Sequence, residues 1–305
     1  MAATPATSVE LTESLDLSAL AAWLRAQRWY GTKSQAIAAI EVQDAVTLAA
    51  HPAVVIALVR ARLADGRDER YQLVLSFAEG DTPTGDGAPV IQRTATSTVL
   101  DAVADADRAR VLLTAIDAET ALDGDRGHFS FSRGEYTGPL DSAGPARPMG
   151  VEQSNSSIVF SDTVLKVFRR LEPGVNPELE VLRFLTRRGY PNIAPLRGWC
   201  NYRGAGGTGF RATLAVAQRF VATAQGGWEL ALEQISSDPE SLLTDLADLG
   251  RATAELHNAL ASDPDDPDFA PAQPDGDALA TTITEIDADV QRVFARLQGN
   301  FAQEL

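Results

Sequence analysis

Apolar positions change period several times along this chain, and each change marks an element. Residues 18–27 carry Leu20 and Leu24 at helical spacing with Trp23 beside them, which predicts a short amphipathic helix. The run Arg28-Trp29-Tyr30-Gly31-Thr32-Lys33-Ser34 follows as a turn whose aromatics are expected to anchor that helix to a sheet. Segments 36–48, 53–63 and 70–77 are β-rich, the last two joined by a hairpin turn at Ala64-Asp65-Gly66-Arg67. Residues 96–118 are expected to be helical, in two pieces meeting near Asp105, and 127–136 alternates as a strand. Two short strands are predicted at Ile158-Val159-Phe160 and over 164–168, with Ser161-Asp162 turning between them. Asn176 then caps a helix that has Pro177 in its first turn and a stripe of Leu179, Leu182 and Leu185. Strands over 194–202 and 210–221 flank a glycine-rich turn, and a helix begins at Gly227. Two long helices complete the pattern. Residues 241–260 should bury Leu242, Leu246, Leu249, Thr253, Leu256 and Leu260, with His257 packed beside them. Residues 277–297 align Ile283, Ile286, Val290, Val293 and Leu297.

Composition narrows the class without deciding it. The 305 residues are 45% hydrophobic and 22% charged, ordinary for a globular chain of about two domains. Net charge is -16, which disfavours a general nucleic-acid or anionic-membrane binder and points to a cytoplasmic protein. Cys200 is the one cysteine, so neither an internal disulfide nor a cysteine zinc site can form. His51, His128 and His257 fit no metal motif, and no metal site is expected in this chain. The acidic first residues lack a basic and then apolar leader. The longest apolar run, 45–59, is split by His51-Pro52 and is too short to span a bilayer.

Chemistry concentrates between residues 150 and 185. Lys166 interrupts a strand that is apolar on both faces, and an unpaired ammonium there would be costly to desolvate. The following helix brings Glu178 or Glu180 toward the same sheet, with Glu180 taken as the partner and Glu178 as the alternative. A strand lysine facing a helix glutamate, behind a small polar loop, is how kinase-type lobes hold ATP phosphates. The loop here, Glu152-Gln153-Ser154-Asn155-Ser156-Ser157, is not glycine-rich, yet its amides and hydroxyls can donate to phosphate oxygens. The strand-turn-strand spacing leaves no room for a crossover helix, so antiparallel pairing is expected around Lys166. The glycine cluster over 204–209 lacks the Lys and the following helix of a phosphate loop and is read as a hairpin turn.

The runs EQSNSSIVFSDTVLKVFRR and EPGVNPELEVLRFL resemble actinobacterial maltokinases, within the aminoglycoside-phosphotransferase-like kinases. The early RWYGTKS and the later GGWELAL resemble the same group. The resemblance implies an α+β fold: an N-terminal cap domain over 1–140, a protein-kinase-like N-lobe of antiparallel sheet plus one helix over 141–225, and a partial helical C-lobe over 226–305. The N-lobe is expected to hold five strands with the helix between the third and fourth. The resemblance also implies an ATP-dependent sugar kinase that converts maltose to maltose 1-phosphate in glycogen and trehalose-linked metabolism. ATP, magnesium and a small sugar acceptor would be its ligands, and trehalose synthase is a candidate partner. ATP contacts fall on Gln153, Ser154, Asn155, Ser156, Ser157, Lys166 and Glu180, with Gln218, Phe220 and Val221 where a kinase hinge would receive adenine.

The family's catalytic loop, His-Gly-Asp-x-His, and its later Asp-Phe-Glu or Asp-Phe-Gly occur nowhere in the sequence. No catalytic residue is therefore assigned, and magnesium ligands are expected beyond residue 305. The chain begins with Met and stops at helices that precede those motifs in the family, so C-terminal truncation of a longer kinase is expected, inactive by itself. Glucosamine kinase, another small-molecule kinase, or a non-catalytic nucleotide-binding module are the alternative readings.

Overall fold

The computed structural model describes residues 7–80, 90–135, 138–149, 154–206, 209–222, 224–272 and 275–301, the last five without side chains. The chain divides into two compact units, residues 1–248 and 249–305.

In the first unit, helices α1 (Ser8–Ser14) and α2 (Leu17–Ala26) lead into a long antiparallel meander of β1 (Ile37–Ala50), β2 (Ala53–Leu63) and β3 (Asp68–Glu79). β4 (Val90–Arg93) and β5 (Ser97–Asp101) extend it, in the spatial order β1-β2-β3-β5-β4. β2 is buried on both faces, and its alternation shows why. Val54, Ile56 and Leu58 enter one core, while Val55, Ala57 and Val59 enter another. The second of these cores is covered by Leu11, Leu20 and Leu24 of α1 and α2. It is closed by the expected aromatic anchor: Trp29 and Tyr30 lie against Tyr71 of β3, at ring-centroid distances of 6.0 and 5.5 Å.

A short 3-10 turn (Ala102–Ala104) and α3 (Ala106–Asp117) follow β5. Residues 97–101 were expected to be helical and are instead a strand. Thr98 and Val99 are β-branched, and pairing with both β3 and β4 outweighs a weak helical period. The break near Asp105 is where the pattern placed it, because the Asp105 side chain caps α3 by accepting from the N–H groups of Asp107 and Arg108.

The second sheet contains β6 (Ala121–Asp123), β7 (Gly127–Arg133), β8 (Ala146–Met149), β9 (Asn155–Phe160) and β10 (Thr163–Phe168). After a two-residue strand, β11 (Arg170–Leu171), come helix α4 (Pro177–Arg187) and strands β12 (Leu196–Gly204) and β13 (Arg211–Arg219). The spatial order is β6-β7-β12-β13-β10-β9-β8, all antiparallel. β8, β9, β10, β12 and β13 are the five strands of the expected lobe, with α4 between the third and the fourth. β6 and β7 extend the sheet through β12, so strand pairing crosses the expected boundary at residue 140.

The two sheets share one core. Val46, Val54, Ile56 and Val74 from the first meet Phe129, Phe131, Ile158, Phe160, Leu165 and Val167 from the second, with Leu112 and Ile116 of α3 among them. The chain passes between the sheets at Arg169: β10 pairs within the second sheet, whereas β11 pairs with β3 of the first.

Helices α5 (Gly227–Ser237), α6 (Pro239–Leu260) and α7 (Gly276–Phe301) lie where the period predicts them. Their apolar stripes do not have the expected burial. Leu246 and Leu249 of α6 and Ile283, Ile286, Val290 and Val293 of α7 are exposed, and His257 faces solvent too. A 3.6-residue period marks an apolar face but cannot say what covers it. Among the described residues, no helix is long and apolar enough to cross a membrane.

Candidate functional site

Lys166 stands in the middle of β10, opposite Ser157 of β9 and Val216 of β13. Directly opposed residues in antiparallel strands share a face, so Lys166, Ser157 and Val216 point to one side with Val164, Val159 and Gln218. Leu165 and Val167 point the other way, into the core between the sheets.

The Lys166 ammonium meets the Glu178 carboxylate at 2.9 Å, both half-buried. This corrects the expected partner, Glu180. Glu178 lies four residues before Leu182 and seven before Leu185, on the same helical face as these two buried side chains. Glu180 lies two residues before Leu182, which turns it about 200° around the helix axis at 3.6 residues per turn. The first turn of α4 is set by Asn176, whose side chain accepts from the Glu178 N–H at 2.9 Å, and by Pro177.

The expected polar loop divides on inspection. Gln153 lies outside the described residues. Ser154 precedes β9, while Asn155, Ser156 and Ser157 belong to the strand itself, so their side chains alternate between faces. Ser157 is 3% exposed, and among the described residues its hydroxyl has no hydrogen-bond partner. A buried hydroxyl with no partner, cross-strand from a lysine, is well suited to donate to an oxygen of a bound anion. Ser156 faces away, and its hydroxyl accepts from Arg169 Nε at 2.8 Å. It cannot serve the Lys166 side.

At the opposite end of β13, Phe220 gives its N–H to the Asp162 carbonyl at 2.7 Å, so that donor is not free for an adenine ring as expected. Asp162 lies in the β9–β10 turn, and its carboxylate is paired with Arg197. The hydrogen bond from that guanidinium holds the Asp162 carboxyl below the usual carboxylate range. Gln218 stays on the Lys166 face, and Val221 is exposed.

Arg169 is the residue that pattern reading passed over. Its side chain is 1% exposed and forms a bidentate pair with Asp101, at 3.0 and 2.6 Å, while Asp101 is 5% exposed. Its guanidinium also lies 5.0 Å from the Trp29 ring centroid. Arg169 thus joins the end of β5, the RWYGTKS aromatic anchor and strand β9 at the point where the chain passes between sheets. One signal was available: residues 165, 167 and 169 share a face, and the third is charged where the first two are core.

Among the described residues, no group of three or more His, Cys, Asp or Glu is placed to hold a metal ion. The residues that are present fit a phosphate group, because a lysine held by a carboxylate stands beside a buried free hydroxyl.

The fold is that of a sugar kinase of known structure. A glucosamine kinase solved with glucosamine, ADP and inorganic phosphate matches with a TM-score of 0.54 and 21% identity, over 85% of this chain and 53% of that one. Two further crystal forms of glucosamine kinase match with TM-scores of 0.50 and 0.51 at 18% identity, each over 79% of this chain. The chain spans about half the length of these structures. Residues 23–105, from the last turn of α2 through β5 and the 3-10 turn, match the maltokinase N-terminal cap domain.

Proposed function

We propose that this chain is the cap and nucleotide-holding part of an ATP-dependent sugar kinase whose acceptor is maltose, giving maltose 1-phosphate. The observation that carries the reading is the Lys166–Glu178 pair across the strand from the buried Ser157 hydroxyl, which has no hydrogen-bond partner among the described residues. ATP supplies the phosphoryl group, and magnesium supplies counter-charge. Lys166 neutralises oxygens of the α/β-phosphates, Glu178 fixes its ammonium, and Ser157 donates from the sheet. Val164, half-buried on the same face, gives apolar surface against which a purine can lie. The preorganised charge is what lowers the barrier, because little reorganisation is left at the moment of transfer.

Maltose is favoured by the cap-domain match over 23–105. Glucosamine is the second reading, favoured by the solved structures of the same fold. The base and magnesium ligands would come from sequence beyond residue 305, in the half of the matched structures that this chain does not span. The working protein would then be cytoplasmic and could act with trehalose synthase in α-glucan metabolism.

Two experiments test this. The 305-residue chain should bind a fluorescent ADP analogue, displaceable by ATP, and Lys166→Met should abolish that binding. The same chain should transfer no phosphate, whereas a longer kinase containing it should phosphorylate maltose faster than glucosamine. Unaltered nucleotide binding by Lys166→Met would overturn the site, and a preference for glucosamine would overturn the acceptor.

A further inference from the structure

A second recess lies on the same sheet but away from Lys166, toward the β12–β13 hairpin. It is a groove of about 560 Å³, walled by His128 and Ser130 of β7, Asn201 and Arg203 of β12, Arg211 of β13 and the backbone of Gly174 and Val175. This volume falls within the range of small-molecule sites.

Its charge is unusual for this molecule. Arg203 and Arg211 are directly opposed in the β12–β13 register, and both are exposed. Like charges in that position repel and weaken a sheet. Among the described residues no carboxylate pairs with either guanidinium, although the chain carries 42 acidic side chains. The nearby Asp123 carboxylate is engaged by His128 Nδ1 at 2.7 Å instead. Two unneutralised guanidinium groups at one end of a groove form a fork for a phosphate, since each can donate two parallel hydrogen bonds. Beyond them Asn201 and Ser130, opposed across β12 and β7, present an amide and a hydroxyl that suit a hydroxylated body.

The wall opposite is the segment leading into α4. Gly174 gives its N–H to the Arg211 carbonyl at 2.9 Å, and the Asn176 N–H reaches Thr213 Oγ1 at 3.1 Å. A ligand in the groove would therefore rest against the backbone just ahead of the α4 cap.

We infer that this groove binds a small phosphate monoester of a polyhydroxylated compound, its phosphate held by Arg203 and Arg211 and its hydroxyls by Asn201 and Ser130. The site is separate from the one built on Lys166 and does not depend on the nucleotide reading. A net charge of -16 repels phosphate from the molecule as a whole, so saturable binding must come from a local site.

Isothermal titration of the 305-residue chain with glucose 1-phosphate, inorganic phosphate and glucose is the test. Glucose 1-phosphate should bind saturably, and more tightly than either part alone. The double variant Arg203→Gln/Arg211→Gln should weaken it roughly tenfold or more, the loss expected for charge-assisted bonds. Lys166→Met should leave it unchanged, and hydrogen exchange over 174–176 should slow when the ester is added. The melting temperature of the double variant should hold or rise, because a repulsive pair has been removed. Several results would overturn the inference: no saturable binding, equal affinity for free phosphate, loss with Lys166→Met but not with the double variant, or a fall in melting temperature marking the arginines as structural.

Discussion

Arg169 and Asp101 show what one buried ion pair does in this fold. The guanidinium is spent on three partners: the Asp101 carboxylate, the Ser156 hydroxyl and the Trp29 ring. Asp101→Asn would leave a buried cation without its counter-charge, at a cost of about 3–5 kcal/mol. Chemical denaturation followed by circular dichroism should show that loss, while Asp101→Leu with Arg169→Met should recover most of it. Under the proposed function Lys166 makes a different demand, because there its partner matters to phosphate binding more than to folding. In the longer kinase, Glu178→Gln should lower kcat/KM by roughly one to three orders of magnitude, as for loss of a charge that positions a catalytic cation. Glu180→Gln should change it little, and steady-state kinetics on both variants checks the assignment. Asp162 adds a pH dependence. Its carboxyl is held below the usual range chiefly by the hydrogen bond from Arg197, so it loses its proton more readily folded than unfolded. The stability gained is complete above the unfolded carboxylate pKa and is lost as pH falls through the folded value. The side chain is largely exposed, so screening keeps the effect small. Melting curves of Asp162→Asn should lie below those of the parent at neutral pH and converge with them in acid.

Elements here are placed by caps and close approaches as much as by hydrophobic period. α4 begins where Asn176 and Pro177 put it, and that start decides that Glu178, not Glu180, turns toward β10. The contact between α3 and β12 depends on Gly198. A methyl group there would stand 2.3 Å from Ile116 Cγ2 and 2.7 Å from the Ser132 carbonyl oxygen. Ile116 is fully buried and the carbonyl belongs to the β7 ladder, so neither yields freely. Gly198→Ala should cost about 1–3 kcal/mol, the range for overpacking a filled core, and urea denaturation would measure it. The strand at 97–101 teaches the complementary point. A segment with some helical period becomes a strand once two neighbours offer it ladders on both sides.

Across the whole molecule, the cap and the second sheet are joined through one continuous core, crossed by the chain at Arg169. The cap is thus part of the scaffold that holds β9 and β10, the strands bearing Ser157 and Lys166. α6 and α7 stand in contrast, with Leu249 exposed at 62% and Ile283 at 58%. Exposed apolar stripes of this kind drive association. Sedimentation velocity on the 305-residue chain should show concentration-dependent self-association, weakened in a Leu249→Gln/Ile283→Gln/Ile286→Gln variant of unchanged helicity. Sharp monomeric behaviour of the parent would contradict this.

Much of this was legible from local order. Alternation located the strands, and the 3.6-residue period located the helices. Asn176-Pro177 marked the start of α4, and one lysine in an apolar strand marked the candidate site, because each signal is carried by residues within a few positions of one another. Even Glu178 was within reach, since a residue four before Leu182 shares its face, whereas a two-residue step suits a strand and not a helix. Other features had no local signature. Arg169 finds Asp101 across 68 positions, and Tyr202 finds Asp44 across 158. β6 and β7 join the second sheet through β12, which comes later in the chain. The faces of α6 and α7 are apolar in sequence and exposed in space. Period states what a residue must hide or show. Only long-range packing decides which partner it meets, because that choice is made by surfaces brought together after the elements have formed.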